Sequence, residues 1–193
     1  MRTEEEETPL RPSEQTPLQA AIERAAAGDQ ASFRDLFQRY HDRVYRYAFV
    51  RLGRAEDAGD MVQDVFLSVW RALPGFRYEH EGSFPAWLFR IASRRVGDRI
   101  RHRIRHEALP LEEAPEVGVE FEGAVVSRRL LLGGLAGLPQ RQREVVVLRF
   151  VIGLQTREIA LSMGTSEAAV TALQMRGLER LRRYMGRDDE AES

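Results

Sequence analysis

The stretch from Leu154 to Arg183, LQTREIALSMGTSEAAVTALQMRGLERLRR, limits most sharply what this chain can be. Thr156, Glu158, Ile159, Ala160 and Met163 give a short amphipathic helix, with Thr156 expected as its cap. Gly164 ends it, because glycine enters the left-handed conformation without a side-chain penalty. Ser166 can cap a second helix, whose apolar positions Val170, Leu173, Gly177 and Leu181 recur close to every 3.6 residues. Two helices joined by a short glycine-containing turn form a helix-turn-helix, whose second helix enters the DNA major groove. The same pattern fits a plain helical hairpin in a bundle. The charge beside it favours DNA: Arg176, Arg180, Arg182 and Arg183 leave the apolar seam and could bind phosphates.

The overall charge of −1 hides a partition. Residues 1–18, 106–124 and 187–193 are acidic, and the rest of the chain holds 26 arginines against 15 acids. Basic bodies flanked and joined by acidic segments suit a partner with a phosphate backbone. All 29 basic residues are arginine, a side chain suited to forked contacts with phosphate and guanine. With no cysteine, neither disulfides nor zinc-thiolate sites can staple the fold. No run approaches the roughly eighteen apolar residues of a membrane span, and the acidic N-terminus has no apolar core. A cytoplasmic protein without membrane insertion is the expectation.

Taken in order, residues 1–17 are rich in proline and glutamate and too poor in apolar side chains to repay ordering, so an acidic disordered tail is expected there. Helices are predicted over Leu18 to Ala27, Asp29 to Leu52, Glu56 to Leu73 and Pro85 to about Arg105. The second should bury Phe33, Leu36, Phe37, Tyr40, Val44, Tyr47 and Ala48, with Val50 and Arg51 beside them. The third should bury Ala58, Met61, Val62, Val65, Phe66, Val69 and Trp70, and Glu56 and Asp57 favour its start through the helix dipole. Residues 106–125 read as an acidic linker with two prolines and two glycines. Beyond it, helices are predicted over Val126 to Gly137 and Gln140 to Phe150, then the helix-turn-helix, ending near residue 186 before an acidic tail at 187–193. No strand-like alternation occurs. The fold class is therefore all-α, with two small helical domains, 18–105 and 126–186, joined by the linker.

Arg90, Arg94, Arg95, Arg99, Arg101, Arg103 and Arg105 fall on one helix with a single acid, Asp98, among them. Helical spacing sets Arg94, Arg101 and Arg105 near one side and Arg95, Arg99 and Arg103 near an adjacent one. A basic face without balancing acids on its own helix points to nucleic acid rather than to simple solvation. Just upstream, Phe76, Arg77, Tyr78, His80 and Ser83 lie in a loop that could hold an unstacked base. Phe76 and Tyr78 fit equally well as packing for that loop.

Catalytic and metal chemistry find no motif. No glycine-rich phosphate loop, G-x-S-x-G elbow or H-E-x-x-H sequence occurs. His102 and His106 are four residues apart, but the surrounding arginines repel a cation, so neither metal nor cofactor is expected. Asp60 and Asp64 share a helix face with Gln63 nearby, an arrangement suited to a partner's cations rather than to acid–base work.

Two blocks carry a family resemblance. AEDAGDMVQDVFLSVWRAL (55–73) followed by SFPAWLFRIASRRVGDRIR (83–101) resembles region two of bacterial sigma factors. LPQRQREVVVLRFVIGLQTREIALSMGTSEAAV (138–170) resembles region four. With only these two regions and a short linker, the chain is similar to the extracytoplasmic-function group of the sigma-70 family.

The resemblance implies a factor that binds core RNA polymerase, directs it to promoters and helps open the minus-ten region, without being an enzyme itself. Asp60, Gln63 and Asp64 would meet the polymerase clamp helices, and the second domain would sit on the flap. Arg77, Tyr78, His80, Arg94, Arg95, Arg99 and Arg101 would contact the minus-ten element. Thr165, Ser166, Glu167, Thr171, Ala172, Met175, Arg176 and Arg180 would contact the minus-thirty-five element. An anti-sigma factor is a further candidate partner. Two departures stand out: Arg94 replaces an asparagine common in the family, and Thr171, Leu173 and Leu178 stand where positive charge is common. The resemblance thus implies a minus-thirty-five contact weak in charge, with much of the affinity arriving through polymerase.

Two other readings remain at this stage. A sigma-like decoy would bind an antagonist without DNA, but should lack the arginines at 94–105 and 176–183 that this chain has. A stand-alone helix-turn-helix regulator would leave the first domain without a task.

Overall fold

A computed structural model describes residues 16–106 and 128–191. Residues 1–15 of the tail expected at 1–17, and 107–125 of the linker expected at 106–125, lie outside these residues, while Pro17 opens the first helix. Among the described residues all regular structure is helical, with no strand. The first group comprises α1 (Pro17–Ala26), α2 (Gln30–Leu52), α3 (Ala55–Ala72), a 3-10 turn (Leu73–Gly75) and α4 (Ser83–His106). The second comprises α5 (Arg128–Ala136), α6 (Gln140–Val146), α7 (Thr156–Met163) and α8 (Glu167–Ala191), with a π-helical turn at Val147–Val151. No helix among the described residues is long and apolar enough to cross a membrane.

Local chemistry fixes the helix ends. Asp29 caps α2, accepting from the Ala31 and Ser32 amides at 3.2 and 3.1 Å and from the Ser32 hydroxyl at 2.5 Å. Those donors, the Ser32 hydroxyl foremost, favour the carboxylate and hold Asp29 below its ordinary pKa. Gly53, at φ 79°, turns the chain from α2 into α3. Glu56 and Asp57 occupy the first turn of α3, where the dipole favours acids.

Apolar stripes then close the first bundle. Val44, Tyr47 and Ala48 of α2 are buried, with Val62, Val65 and Val69 of α3 and Leu88, Phe89, Ala92 and Val96 of α4 in the same core. Aromatic rings tie α2 to α3 at Phe33–Trp70 and Phe37–Phe66, both 4.7 Å between centroids. Phe49 is buried as well, beside the half-buried Val50 and the buried Arg51, so the inner face of α2 broadens toward its C-terminus. The second group closes over Val145, Val147, Leu148, Leu154, Ile159, Val170 and Leu181. Gly177 lets α8 lie against α6, since a Cβ there would come within 2.9 Å of Val146 Cγ2 and 3.5 Å of Gln142 Cβ.

Several expected boundaries move. Thr156 is the first residue of α7 rather than its cap. Gln155 holds the cap in a reciprocal box with Glu158, whose carboxylate accepts from the Gln155 amide at 2.6 Å. The helix begun at Gln140 widens after Val146 into a π turn closed by Ile152 N–H to Val147 O at 3.1 Å. α4 starts at Ser83, two residues early, leaving Pro85 within its first turn, where a missing N–H costs nothing. α8 runs on to Ala191, through residues expected to be a tail.

Candidate nucleic-acid interface

Three surfaces carry the predicted site residues. On α3, Asp60, Gln63 and Asp64 are all exposed, since they lie off the buried stripe of Ala58, Met61, Val62, Val65 and Val69. Leu67 joins them, 53% exposed and one turn beyond Gln63. The sequence reading missed it. The available signal was its position off the buried stripe in a helix whose other large apolar residues are covered.

The second surface is α4 with the loop before it. Arg94, Arg95, Arg99 and Arg101 are exposed. Arg95 donates to the Ser68 hydroxyl of α3 at 3.0 Å, and Arg101 pairs with Asp98 at 2.5 Å. Asp57 of α3 lies 2.7 Å from Arg99 and 3.5 Å from Arg103. The acid missing from the arginine helix is thus supplied by its neighbour. Arg77 is exposed, but the loop's aromatics are engaged: Phe76 packs on Trp87 and Phe84, at 4.8 and 5.6 Å. The Tyr78 hydroxyl lies 3.0 Å from the Thr16 hydroxyl, and the His80 imidazole accepts from the Gly82 amide at 3.1 Å. In this conformation Tyr78 packs the loop down.

The third surface is the helix-turn-helix. Gly164 adopts φ 62° between α7 and the turn, and Ser166 caps α8 by accepting from the Ala169 amide at 3.2 Å. Val170, Gly177 and Leu181 are buried, so Glu167, Thr171, Ala172, Met175, Arg176 and Arg180 face outward. Thr165 is half-buried in the turn. The outward face is mixed: Met175 is 67% exposed, the Thr171 hydroxyl bonds back to Glu167 O, and Arg176 bonds back to Ala172 O.

The two helical groups also touch through buried polar groups. The Tyr47 hydroxyl donates to Glu144 Oε1 at 2.7 Å, and Arg51 pairs with Glu144 Oε2. Burial, with the Glu144 charge adding to it, pushes the Tyr47 phenol well above its ordinary pKa. Arg43 donates twice to Ile152 O, at 2.8 and 3.2 Å. Arg90 of α4 reaches the carbonyls of Leu161 and Ser162 at the end of α7.

Comparison with known proteins identifies the family. Sigma-70 region 2 matches residues 36–106, and Sigma-70, region 4 matches residues 128–181. The extracytoplasmic-function RNA polymerase sigma factor ShbA of Streptomyces griseus is 37% identical over 190 residues, covering 90% of this chain and 97% of that protein. The extracytoplasmic-function sigma factor SigD of Mycobacterium tuberculosis is 36% identical over 178 residues, covering 86% of this chain and 82% of that protein. Among solved structures, CnrH in complex with the cytosolic domain of CnrY superposes with a TM-score of 0.68 at 25% identity, over 88% of this chain and 97% of that one. The chain therefore belongs to the sigma-70 family, as a sigma factor of the extracytoplasmic-function group that directs RNA polymerase to promoters.

Proposed function

We propose that each surface serves one step of initiation. The α3 patch of Asp60, Gln63, Asp64 and Leu67 docks on the cationic clamp helices of core polymerase, with Leu67 as its apolar centre. α4 and the loop before it, through Arg77, Tyr78, His80, Arg94, Arg95, Arg99 and Arg101, bind and open the minus-ten DNA. α8 enters the major groove at the minus-thirty-five element, with Thr165, Ser166, Glu167, Thr171, Ala172, Met175, Arg176 and Arg180 at the contact, while the second group rests on the flap. The factor works in the cytoplasm and does no catalysis, since polymerase supplies the chemistry. CnrH, solved in complex with the cytosolic domain of CnrY, supports a bound protein as a further candidate partner for this chain, an anti-sigma factor in this reading.

The observation that carries this reading is the coexistence of an exposed acidic patch on α3 with exposed arginines on the adjoining α4. A DNA-binding protein acting alone has no use for the acidic patch. A decoy that avoids DNA has no use for the arginines. Run-off transcription from a genomic DNA library, with core polymerase and this chain, should yield a discrete set of start sites. Asp60→Arg combined with Asp64→Arg should abolish both these products and co-purification with polymerase. One-sided disruption of a charged pair buried at an interface costs about 2–5 kcal/mol. Recruitment at wild-type level by the double variant would sink the docking assignment.

A further inference from the structure

α4, α6 and the end of α7 enclose a cleft of about 280 Å³ between the two helical groups. Three arginines line it: Arg90 and Arg94 stand one turn apart on α4, and Arg141 comes from the first turn of α6. Arg90 is held in place, its Nε and Nη2 donating to the carbonyls of Ser162 and Leu161. Arg94 and Arg141 form no hydrogen bond or ion pair among the described residues. The acid that lines the cleft, Glu144, is already matched: one carboxylate oxygen accepts from the Tyr47 hydroxyl, and the other pairs with Arg51. Three guanidinium charges therefore converge on one space with no free carboxylate among them. Like charges gathered in this way are costly unless an anion lies between them.

We infer that this cleft is a binding site for a small diphosphate, either inorganic pyrophosphate or the diphosphate end of a nucleotide. The guanidinium fork matches phosphate oxygens bidentately, and a diphosphate carries enough charge to meet all three arginines. The size fits, since the volume lies just under the roughly 300–1,000 Å³ of small-molecule pockets. No aromatic ring lines the cleft, so nothing there stacks on a base and the phosphates carry the recognition. A nucleic-acid strand offers its phosphates singly along its length, whereas arginines converging from two helices suit two phosphates joined together. Arg94 is shared with the minus-ten face proposed above, but Arg90 and Arg141 belong to neither promoter contact. RNA synthesis releases a diphosphate with every nucleotide added, so polymerase, the enzyme this family serves, produces an anion of this class.

Isothermal titration calorimetry of the full chain with inorganic pyrophosphate tests the site, at about 0.15 M salt and without divalent metal. Saturable binding of one pyrophosphate per chain is expected, at least about tenfold tighter than sulfate, with a melting temperature that rises with pyrophosphate concentration. Arg141→Ala, at an exposed position, should keep the helical circular dichroism and weaken pyrophosphate binding by about tenfold or more. Arg90→Ala should do the same. Arg157→Ala removes an equal charge from an exposed position outside the cleft and should leave the affinity unchanged. A nucleoside diphosphate that binds as tightly as pyrophosphate would name the nucleotide end as the source, and a much weaker one would name the free anion. The site is overturned if pyrophosphate binds no better than sulfate, an adventitious ion only, or if Arg157→Ala weakens it as much as Arg141→Ala. If Arg141→Ala weakens binding of a short single-stranded DNA as strongly as that of pyrophosphate, the cleft belongs to the DNA path and the diphosphate assignment falls. Failure of the minus-ten reading of Arg94 would leave the Arg90 and Arg141 results untouched.

Discussion

Asp57 reaches two arginines of the neighbouring helix, lying 2.7 Å from Arg99 Nη2 and 3.5 Å from Arg103 Nη1, and its side chain is only 13% exposed. It sits in the first turn of α3, where the helix dipole already favours a negative charge. One carboxylate thus ties the start of α3 to the outer half of α4 and offsets part of the positive charge proposed above for the minus-ten contact.

Asp57→Asn keeps the shape and removes the charge. Non-specific DNA affinity of the variant should rise, and its dependence on salt should steepen by about 1–2 units in the slope of log K against log salt, as up to two arginines turn to phosphates. Thermal stability should fall, because a charge-assisted contact is worth about 1.5–3 kcal/mol when little exposed. Equal slopes for variant and wild type would show that Arg99 and Arg103 stay on α3 regardless of Asp57.

The loop before α4 gives a separate prediction. Tyr78 is tied to Thr16 at the start of α1, so it must leave that partner if it is to hold a flipped base. Tyr78→Phe deletes the hydroxyl but keeps the ring, and should preserve or speed open-complex formation, while Tyr78→Ala should slow it. A promoter already mismatched across its minus-ten region should rescue Tyr78→Ala, since the unpairing cost of a few kcal/mol has been removed beforehand. Slow opening on the mismatched template with intact folding would leave Tyr78 only a packing role.

Sequence legibility follows the range of the interaction. Gly53, Gly164 and Ser166 act on their own backbone, and each performs the turn or cap expected of it. The true cap of α7 was legible as well: Glu158 stands three residues after Gln155, the spacing of a capping box, but Thr156 is the more familiar cap residue. The buried stripes of α2 and α3 follow periodicity, apart from Phe49, which is also buried, and Phe33, Phe37 and Trp70, which stay half-buried at the edge where α2 meets α3. The Tyr47–Arg51–Glu144 contact was not legible, because it joins residues more than ninety positions apart. Its traces were an arginine on an apolar stripe and a glutamate opening the apolar run Val145–Leu148. The partners of Arg95 and Arg99 were hidden for the same reason, since they come from another helix.

Packing between α6 and α8 should be intolerant of added volume. Gly177→Ala places a methyl within 2.9 Å of Val146 Cγ2, and Gln142 backbone and side-chain atoms lie at 3.5–3.6 Å on the same side. The better helix propensity of alanine, about 1 kcal/mol, opposes an overpacking cost of about 1–3 kcal/mol. Net destabilisation is expected, visible as a lower melting temperature. Adding Val146→Ala should recover part of it, because the clashing methyl has gone. A melting temperature unchanged by Gly177→Ala alone would mean that α8 can shift outward freely.

The outward face of α8 separates two kinds of DNA contact. Arg176 carries a charge and is exposed, with its Nε now bonded to Ala172 O one turn earlier. Met175 is uncharged and 67% exposed, and Ala172 beside it is also exposed, so the face offers methyl and thioether groups beside the charge of Arg176. Apolar side chains in the major groove read the thymine methyl, whereas arginine reads guanine or grips phosphate. Arg176→Ala should therefore weaken minus-thirty-five binding with one of two signatures. A base contact costs about 1–3 kcal/mol and relaxes preference at one position, while a phosphate contact lowers the salt slope by about one unit without changing preference. Met175→Ala should leave the salt slope untouched and instead reduce discrimination for thymine at one position. Binding measured at two salt concentrations on a target and on single-base variants distinguishes these outcomes. Should Met175→Ala bind every variant as wild type does, the apolar face takes no part in reading sequence, and the specificity of α8 would rest on Arg176, Arg180 and the residues of the turn.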